Sequence, residues 1–147
     1  MEFSQFTDYS LRVLLYLAVK GEGLSSIKEI SDAYSISNNH LVKVVHNLSK
    51  LGLVETFRGR SGGITLAKSP EELVVGELVR KTENLAILEC FPGGKGTCCI
   101  IGICRLQGVL KKALDAFLAE LDKVTVADMV GNRAGLGERL GIAQPVP

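Results

Sequence analysis

From Phe6 to Val19 the chain runs without Gly or Pro and spreads apolar residues over a broad face, which predicts a helix that Gly21-Glu22-Gly23 then stops. Ser26-Ile27-Lys28-Glu29 has the form of a capping box, a hydroxyl followed three residues on by a carboxylate, and Ile27, Ile30 and Ala33 line one face of a short second helix. Ser37 is the start signal of a third helix. Its apolar positions Leu41, Val44, Val45, Leu48 and Leu51 fall at helical offsets, and Gly52 is placed to end it. Val54 to Arg58 and Ile64 to Lys68 have strand-like composition around the turn-prone tip Gly59-Arg60-Ser61-Gly62-Gly63. Two short helices joined by a tight turn and followed at once by a hairpin make the pattern of a winged helix-turn-helix.

Past the hairpin, Ser69-Pro70-Glu71-Glu72 closes the wing, and Val75, Leu78 and Val79 predict a fourth helix ending near Thr82. A long loop leads to a helical stripe of Leu106, Val109, Leu110, Ala113, Phe117 and Leu121, widened by Leu114 and Leu118. A helix apolar over more than one face in so small a protein needs extra covering, so it reads as a dimerisation helix packed on its symmetry mate. Thr125 to Val130 adds a helical turn, and from Gly131 onward the periodicity fades. The expected fold is mainly α with a small β-hairpin wing, a winged helix-turn-helix plus a long C-terminal dimerisation helix. Residues 1–84 form the DNA-binding domain, 85–104 a cysteine-rich loop, 105–130 the dimerisation helix and final helical turn, and 131–147 a mobile tail.

A length of 147 residues allows one small domain with an oligomerisation element and leaves no room for a second, enzyme-sized one. No apolar run approaches the ~18 residues needed to span a membrane. The opening Glu2-Phe3-Ser4 is not the basic start of a secretory signal, so a cytoplasmic location is expected. No nucleophile and base arrangement is visible, and an enzyme is not expected.

Net charge is +1 but uneven: Ser37 to Lys68 carries +4, against −2 before it and −1 after it. Such a patch in a nearly neutral chain suits a surface that meets a polyanion. The polar face of the third helix carries Asn38, Asn39, His40, Lys43, His46, Asn47 and Lys50. Asn pairs bidentately with adenine, and Lys neutralises phosphate or donates to guanine. Arg58 and Arg60 flank Gly59 at the wing tip, where a narrow glycine backbone and arginine charge suit a minor groove. Ser26 and Ser37, at helix starts, are capping residues that also stand where phosphates are held. His40 and His46 belong to this region and not to the cysteine loop.

All four cysteines lie within the fifteen residues Cys90 to Cys104, together with Pro92 and the glycines 93, 94, 96 and 102. In a reducing compartment such a cluster points to a metal before a disulfide framework. Zinc knuckles pair cysteines two to four residues apart, a spacing absent here apart from the adjacent Cys98-Cys99. Thiolates on a flexible loop suit an iron–sulfur cluster. Zinc and a thiol–disulfide switch using Cys90 or Cys104 remain as alternatives.

Several segments occur together and in order over about residues 1–130: Phe6-Thr7-Asp8-Tyr9 with Leu11-Arg12, Asn39-His40-Leu41-Val42-Lys43, and Arg58-Gly59-Arg60-Ser61-Gly62-Gly63-Ile64. Gly76-Glu77-Leu78-Val79-Arg80, Cys98 to Cys104-Arg105-Leu106, and Thr125-Val126-Ala127-Asp128 follow. On these residues the chain resembles the Rrf-type winged-helix iron–sulfur transcription regulators, and among them the nitric-oxide-sensing repressors. The resemblance implies a homodimer that occupies a palindromic double-stranded DNA operator while its cluster is intact, nitrosylation of the cluster relieving repression. It also implies Cys90, Cys98 and Cys104 as thiolate ligands, with a carboxylate from the partner's first helix, here Asp8, as the fourth. Three cysteines and one further ligand serve a 4Fe–4S cluster, which is preferred, or a 2Fe–2S cluster. Family members that regulate cluster assembly use a histidine three residues beyond the third cysteine; here that position is Gln107, which disfavours iron–sulfur status as the signal. Cys99 is an additional thiol, either a substitute for Asp8 or a bystander.

Overall fold

The computed structural model describes residues 2–143, which form two compact units. The first comprises the chain up to Leu73 and from Thr125 onward; the second runs from Val74 to Val124.

The first unit is built around α1 (Gln5–Lys20). Ser4 caps it by accepting from the Thr7 N–H at 3.3 Å, and Gly21, at φ +75°, ends it. Val13, Leu14, Leu17 and Val19 are buried, together with Tyr16 and Ala18, so α1 is covered over most of its circumference. α2 (Ile27–Tyr34) begins at the expected capping box: Ser26 accepts from the Glu29 N–H, and the Glu29 carboxylate accepts from the Ser26 N–H. Ser35, in the left-handed region at φ 54°, ends α2, and Ser37 caps α3 (Asn38–Lys50). Leu41, Val44, Val45 and Leu48 bury the inner face of α3, each such side chain contributing about 1.5–3 kcal/mol by leaving water.

β1 (Val54–Phe57) pairs antiparallel with β2 (Gly63–Leu66), in register from Val54 opposite Leu66 to Phe57 opposite Gly63. β1 stops one residue short of Arg58 because the chain already turns at Gly59, whose φ is +104°, while β2 takes in Gly63 from the expected tip and ends at Leu66, short of Lys68. Ser25 adds a bridge to Ile64, with N–H to carbonyl bonds of 2.9 and 2.8 Å in the two directions, and so extends the wing by one residue on its other edge. A 3-10 turn at Pro70–Glu72 follows.

The first unit also holds α6 (Val126–Met129), opened by a Thr125–Asp128 capping box, and α7 (Arg133–Leu140). α7 falls where the sequence predicts a mobile tail over 131–147. Asn132 caps its start by accepting from the Gly135 N–H, Gly141 ends it at φ 66°, and Arg133 Nε donates to the Val19 carbonyl at the end of α1 at 2.9 Å. Residues 144–147 of the expected tail lie outside the described residues.

The second unit packs α4 (Val75–Thr82) against α5 (Arg105–Leu121). Val75, Leu78 and Val79 are buried, as is Leu118 on α5. Arg80 grips Asp122 with its two terminal guanidinium nitrogens, Nη1 and Nη2, at 2.5 and 2.8 Å, and holds that carboxyl below the usual range. A Cβ at Gly76 would collide with the same carboxylate, so glycine there allows the pair to close over α4. Between the two helices, residues 85–104 form the cysteine loop, with Phe91 as its buried residue.

Candidate DNA-binding surface and cysteine pocket

The burial of one face of α3 leaves the other outward. Asn38, Asn39, His40, Lys43, His46 and Lys50 are exposed, and Asn47 is partly so. These are the amide and cationic side chains expected on a helix that reads base edges. Val42, on the same outer surface, is 51% exposed.

Arg58 and Arg60 are exposed at the wing tip. The tip is closed by a Gly62 N–H to Gly59 carbonyl bond of 3.0 Å, and a Cβ at Gly62 would strike the Phe57 carbonyl, so the narrow turn depends on glycine. The two arginines are therefore carried on a tip with little side-chain bulk between them.

Ser26 and Ser37 act as helix caps, accepting from the Glu29 N–H at 3.1 Å and the His40 N–H at 3.3 Å. Capping uses an oxygen lone pair, which leaves each hydroxyl hydrogen able to turn toward a phosphate.

Tyr9, on α1, lies 6.2 Å from the His40 ring, between centroids. Arg12 stands over the rings of Tyr9 and Tyr34, at 5.9 and 5.7 Å, and so links α1 to the end of α2. Burial raises the Tyr34 hydroxyl to about 12, and its oxygen has no hydrogen-bond partner among the described residues. Asp8 lies in the first turn of α1 and is paired with Arg12 at 2.8 Å. The acid and base are four residues apart in a predicted helix, a spacing that signals such a pair in the sequence.

In the second unit, Cys90, Cys98 and Cys104 line one pocket of about 270 Å³. Its walls are apolar, from Leu88, Ile100, Ile101 and Leu106, and Glu89 and Gln107 complete them. Cys99 is exposed and does not line it. All four thiols are unbridged. Among the described residues no three His, Cys, Asp or Glu side chains are gathered to hold a metal ion. Soft thiolate donors set around an apolar wall are the donor type that iron–sulfur groups take.

Gln107 has a structural role that its sequence position did not disclose. From the first turn of α5 its Nε2 donates to the Cys90 carbonyl at 3.1 Å.

On α5, Leu106 and Val109 are 54% and 62% exposed, on the outer part of the stripe that the sequence assigns to dimerisation. No helix among the described residues is long and apolar enough to cross a membrane.

Residues 3–132 match the Rrf2 family, described as iron-dependent transcriptional regulators. The HTH-type transcriptional regulator NsrR of Shouchella clausii (strain KSM-K16) is 53% identical over 138 residues, covering 92% of this chain and 93% of that protein. NsrR of Bacillus subtilis (strain 168) is also 53% identical, over 135 residues, covering 90% and 92%. Among solved structures, T. potens IscR superposes with a TM-score of 0.73 at 27% identity, covering 99% of this chain and 94% of that one. The oxidized form of Staphylococcus aureus CymR gives 0.71 at 26% identity, covering 89% and 97%. With its winged helix, its outward amide and lysine face and these relatives, the chain belongs to the Rrf2 family and is a transcription regulator, not an enzyme.

Proposed function

We propose that this regulator is a cytoplasmic, homodimeric repressor that senses nitric oxide through an iron–sulfur cluster held by Cys90, Cys98 and Cys104, with Asp8 of the partner subunit as fourth ligand. The observation that carries the reading is the shared pocket of those three thiols, from which Cys99 is left out. Relatives at 53% identity are named NsrR, and the family is described as iron-dependent.

The roles of the chain's own residues follow from their chemistry. Asn38, Asn39, His40 and Lys43 enter the major groove of an operator half-site, Arg58 and Arg60 meet the adjacent groove and backbone, and Ser26 and Ser37 hold phosphates. Leu106 and Val109 lose their exposure against a second copy of α5, which sets the spacing of two half-sites. The apolar pocket wall keeps water from the thiolates and tunes the group they hold. A 4Fe–4S cluster matches three thiolates and one carboxylate, and when bound it supplies iron with affinity for nitric oxide. The cysteine loop and the helices beside it are the two-state element whose balance the signal shifts.

The test is operator binding by anaerobically reconstituted protein. Affinity for duplexes selected from a random pool is measured before and after nitric oxide is added. A fall of tenfold or more, corresponding to about 1.4 kcal/mol, is expected on sequence-specific DNA. Unchanged affinity would move the signal to iron or redox status.

A further inference from the structure

The three pocket thiols lie on stretches of chain that have no shared helix or strand to hold them together. Cys104 is the residue immediately before α5, and its side chain makes no capping bond. Cys98 is tied toward it through two successive tight turns, Ile101 N–H to Cys98 carbonyl and Ile103 N–H to Ile100 carbonyl, each 3.3 Å. Cys90 has no such local route, since seven residues separate it from Cys98. Two contacts supply one.

The first is made by Glu89, the residue before Cys90. Its carbonyl accepts from the Gly96 N–H at 2.7 Å, and its carboxylate accepts from Thr97 Oγ1, the residue before Cys98, at 2.9 Å. The approach is close enough that a Cβ at Gly94 would sit 2.5 Å from the Glu89 carbonyl oxygen. The second is the Gln107 Nε2 bond to the Cys90 carbonyl, 3.1 Å long and spanning seventeen residues. Gln107 belongs to the same first turn of α5 that Cys104 opens. The Glu89–Thr97 contact thus joins the Cys90 and Cys98 stretches, and the Gln107 contact joins Cys90 to the Cys104 turn.

We propose that Gln107 and Glu89 are positioning residues that assemble the three-thiol pocket before it is filled, Gln107 acting as a brace on Cys90. The lone pair of Gln107 Nε2 is delocalised into the amide, and one of its two N–H groups donates to the Cys90 carbonyl, so this contact holds Cys90 in place and offers no ligand. Rigid outer partners of this kind lower the cost of ordering a loop when its occupant arrives. The identity of the occupant rests on the proposed function, but the bracing geometry does not.

The experiment uses the full chain with Gln107→Glu, which removes the donor at nearly constant size, and with Gln107→Ala. In the metal-free, reduced protein the alkylation rate of each cysteine by iodoacetamide is followed by mass spectrometry, with exposed Cys99 as internal reference. Both variants are expected to raise Cys90 alkylation relative to Cys99 by ~10-fold with thermal unfolding unchanged, and after reconstitution with ferrous iron and sulfide to lose iron to a chelator ~10-fold faster. An unchanged Cys90 to Cys99 ratio in both variants overturns the proposal. So does a lowered unfolding temperature with all four thiols accelerated alike, which would make Gln107 a general structural residue. A wild-type chain that takes up no iron would defeat the proposed function while leaving the alkylation ratio to decide the brace.

Discussion

Asp8 and Arg12 stand one helical turn apart on α1 and meet at two points, Nε to Oδ1 at 3.1 Å and Nη2 to Oδ2 at 2.8 Å. Both side chains are about two-fifths exposed, at 41% and 42%, so water screens the pair and it is worth only about 0.3–0.5 kcal/mol. Asp8→Ala is therefore expected to lower stability in urea unfolding by less than ~1 kcal/mol. A loss of several kcal/mol would mean that Asp8 supports the fold in a way this pair does not explain. The small expected cost makes the variant informative, because faster iron loss from it then reports ligation and not unfolding.

The wing makes a separate prediction. Arg58 and Arg60 are exposed on a tip closed by a single backbone turn, so neither supports the hairpin through packing. Replacing Arg60 with Ala should weaken DNA binding and reduce the salt slope by about 0.9 if it neutralises one phosphate. The iron content of the reconstituted protein should not change. Weaker binding together with lost iron would show that the substitution acts through folding.

Among the cysteines, the pocket separates three from one. Ala at Cys90, Cys98 or Cys104 should each abolish retention of iron after reconstitution, whereas Cys99→Ala should keep it, since Cys99 is exposed and does not line the pocket. Iron lost from the Cys99 variant alone would replace the ligand set proposed here.

Glu29 carries a pH dependence whose sign follows from its contacts. The Ser26 backbone N–H is the largest influence holding its carboxyl below the usual range, with Lys20 helping and burial opposing. A carboxyl whose value is lower in the folded than in the unfolded chain contributes stability that is fully present above the unfolded value. That contribution disappears as pH falls through the lowered folded value. Glu29→Gln keeps an acceptor for the cap but does not titrate. Denaturant midpoints measured from neutral to acid pH should fall more steeply for the wild type than for the variant, and parallel curves would contradict the assignment.

Much of this architecture was legible because its signals are local. The capping serines, Ser26 and Ser37, and the apolar offsets from Leu41 to Leu48 depend on neighbours within a few residues, and the helices fall where those patterns put them. α7 was not legible for the opposite reason. Its own pattern is weak, and one of its anchors is the Arg133 bond to a carbonyl 114 residues away in sequence. Ser25 was overshadowed by the cap beside it, although its backbone completes the edge of the wing at Ile64. At the cysteine loop, the spacing supplied the thiols but not the braces, because a glutamine donating to a distant carbonyl leaves no periodic trace. The exclusion of Cys99 from the pocket likewise depends on how the loop turns at Cys98.

The most direct measurement is the absorption spectrum of anaerobically purified protein, taken together with its iron, sulfide and zinc content. The account predicts a brown protein with iron and acid-labile sulfide in near-equal amounts and visible absorption that bleaches when nitric oxide is added. A colourless protein containing zinc, or one with no metal whose thiols form a disulfide on oxidation, would contradict it.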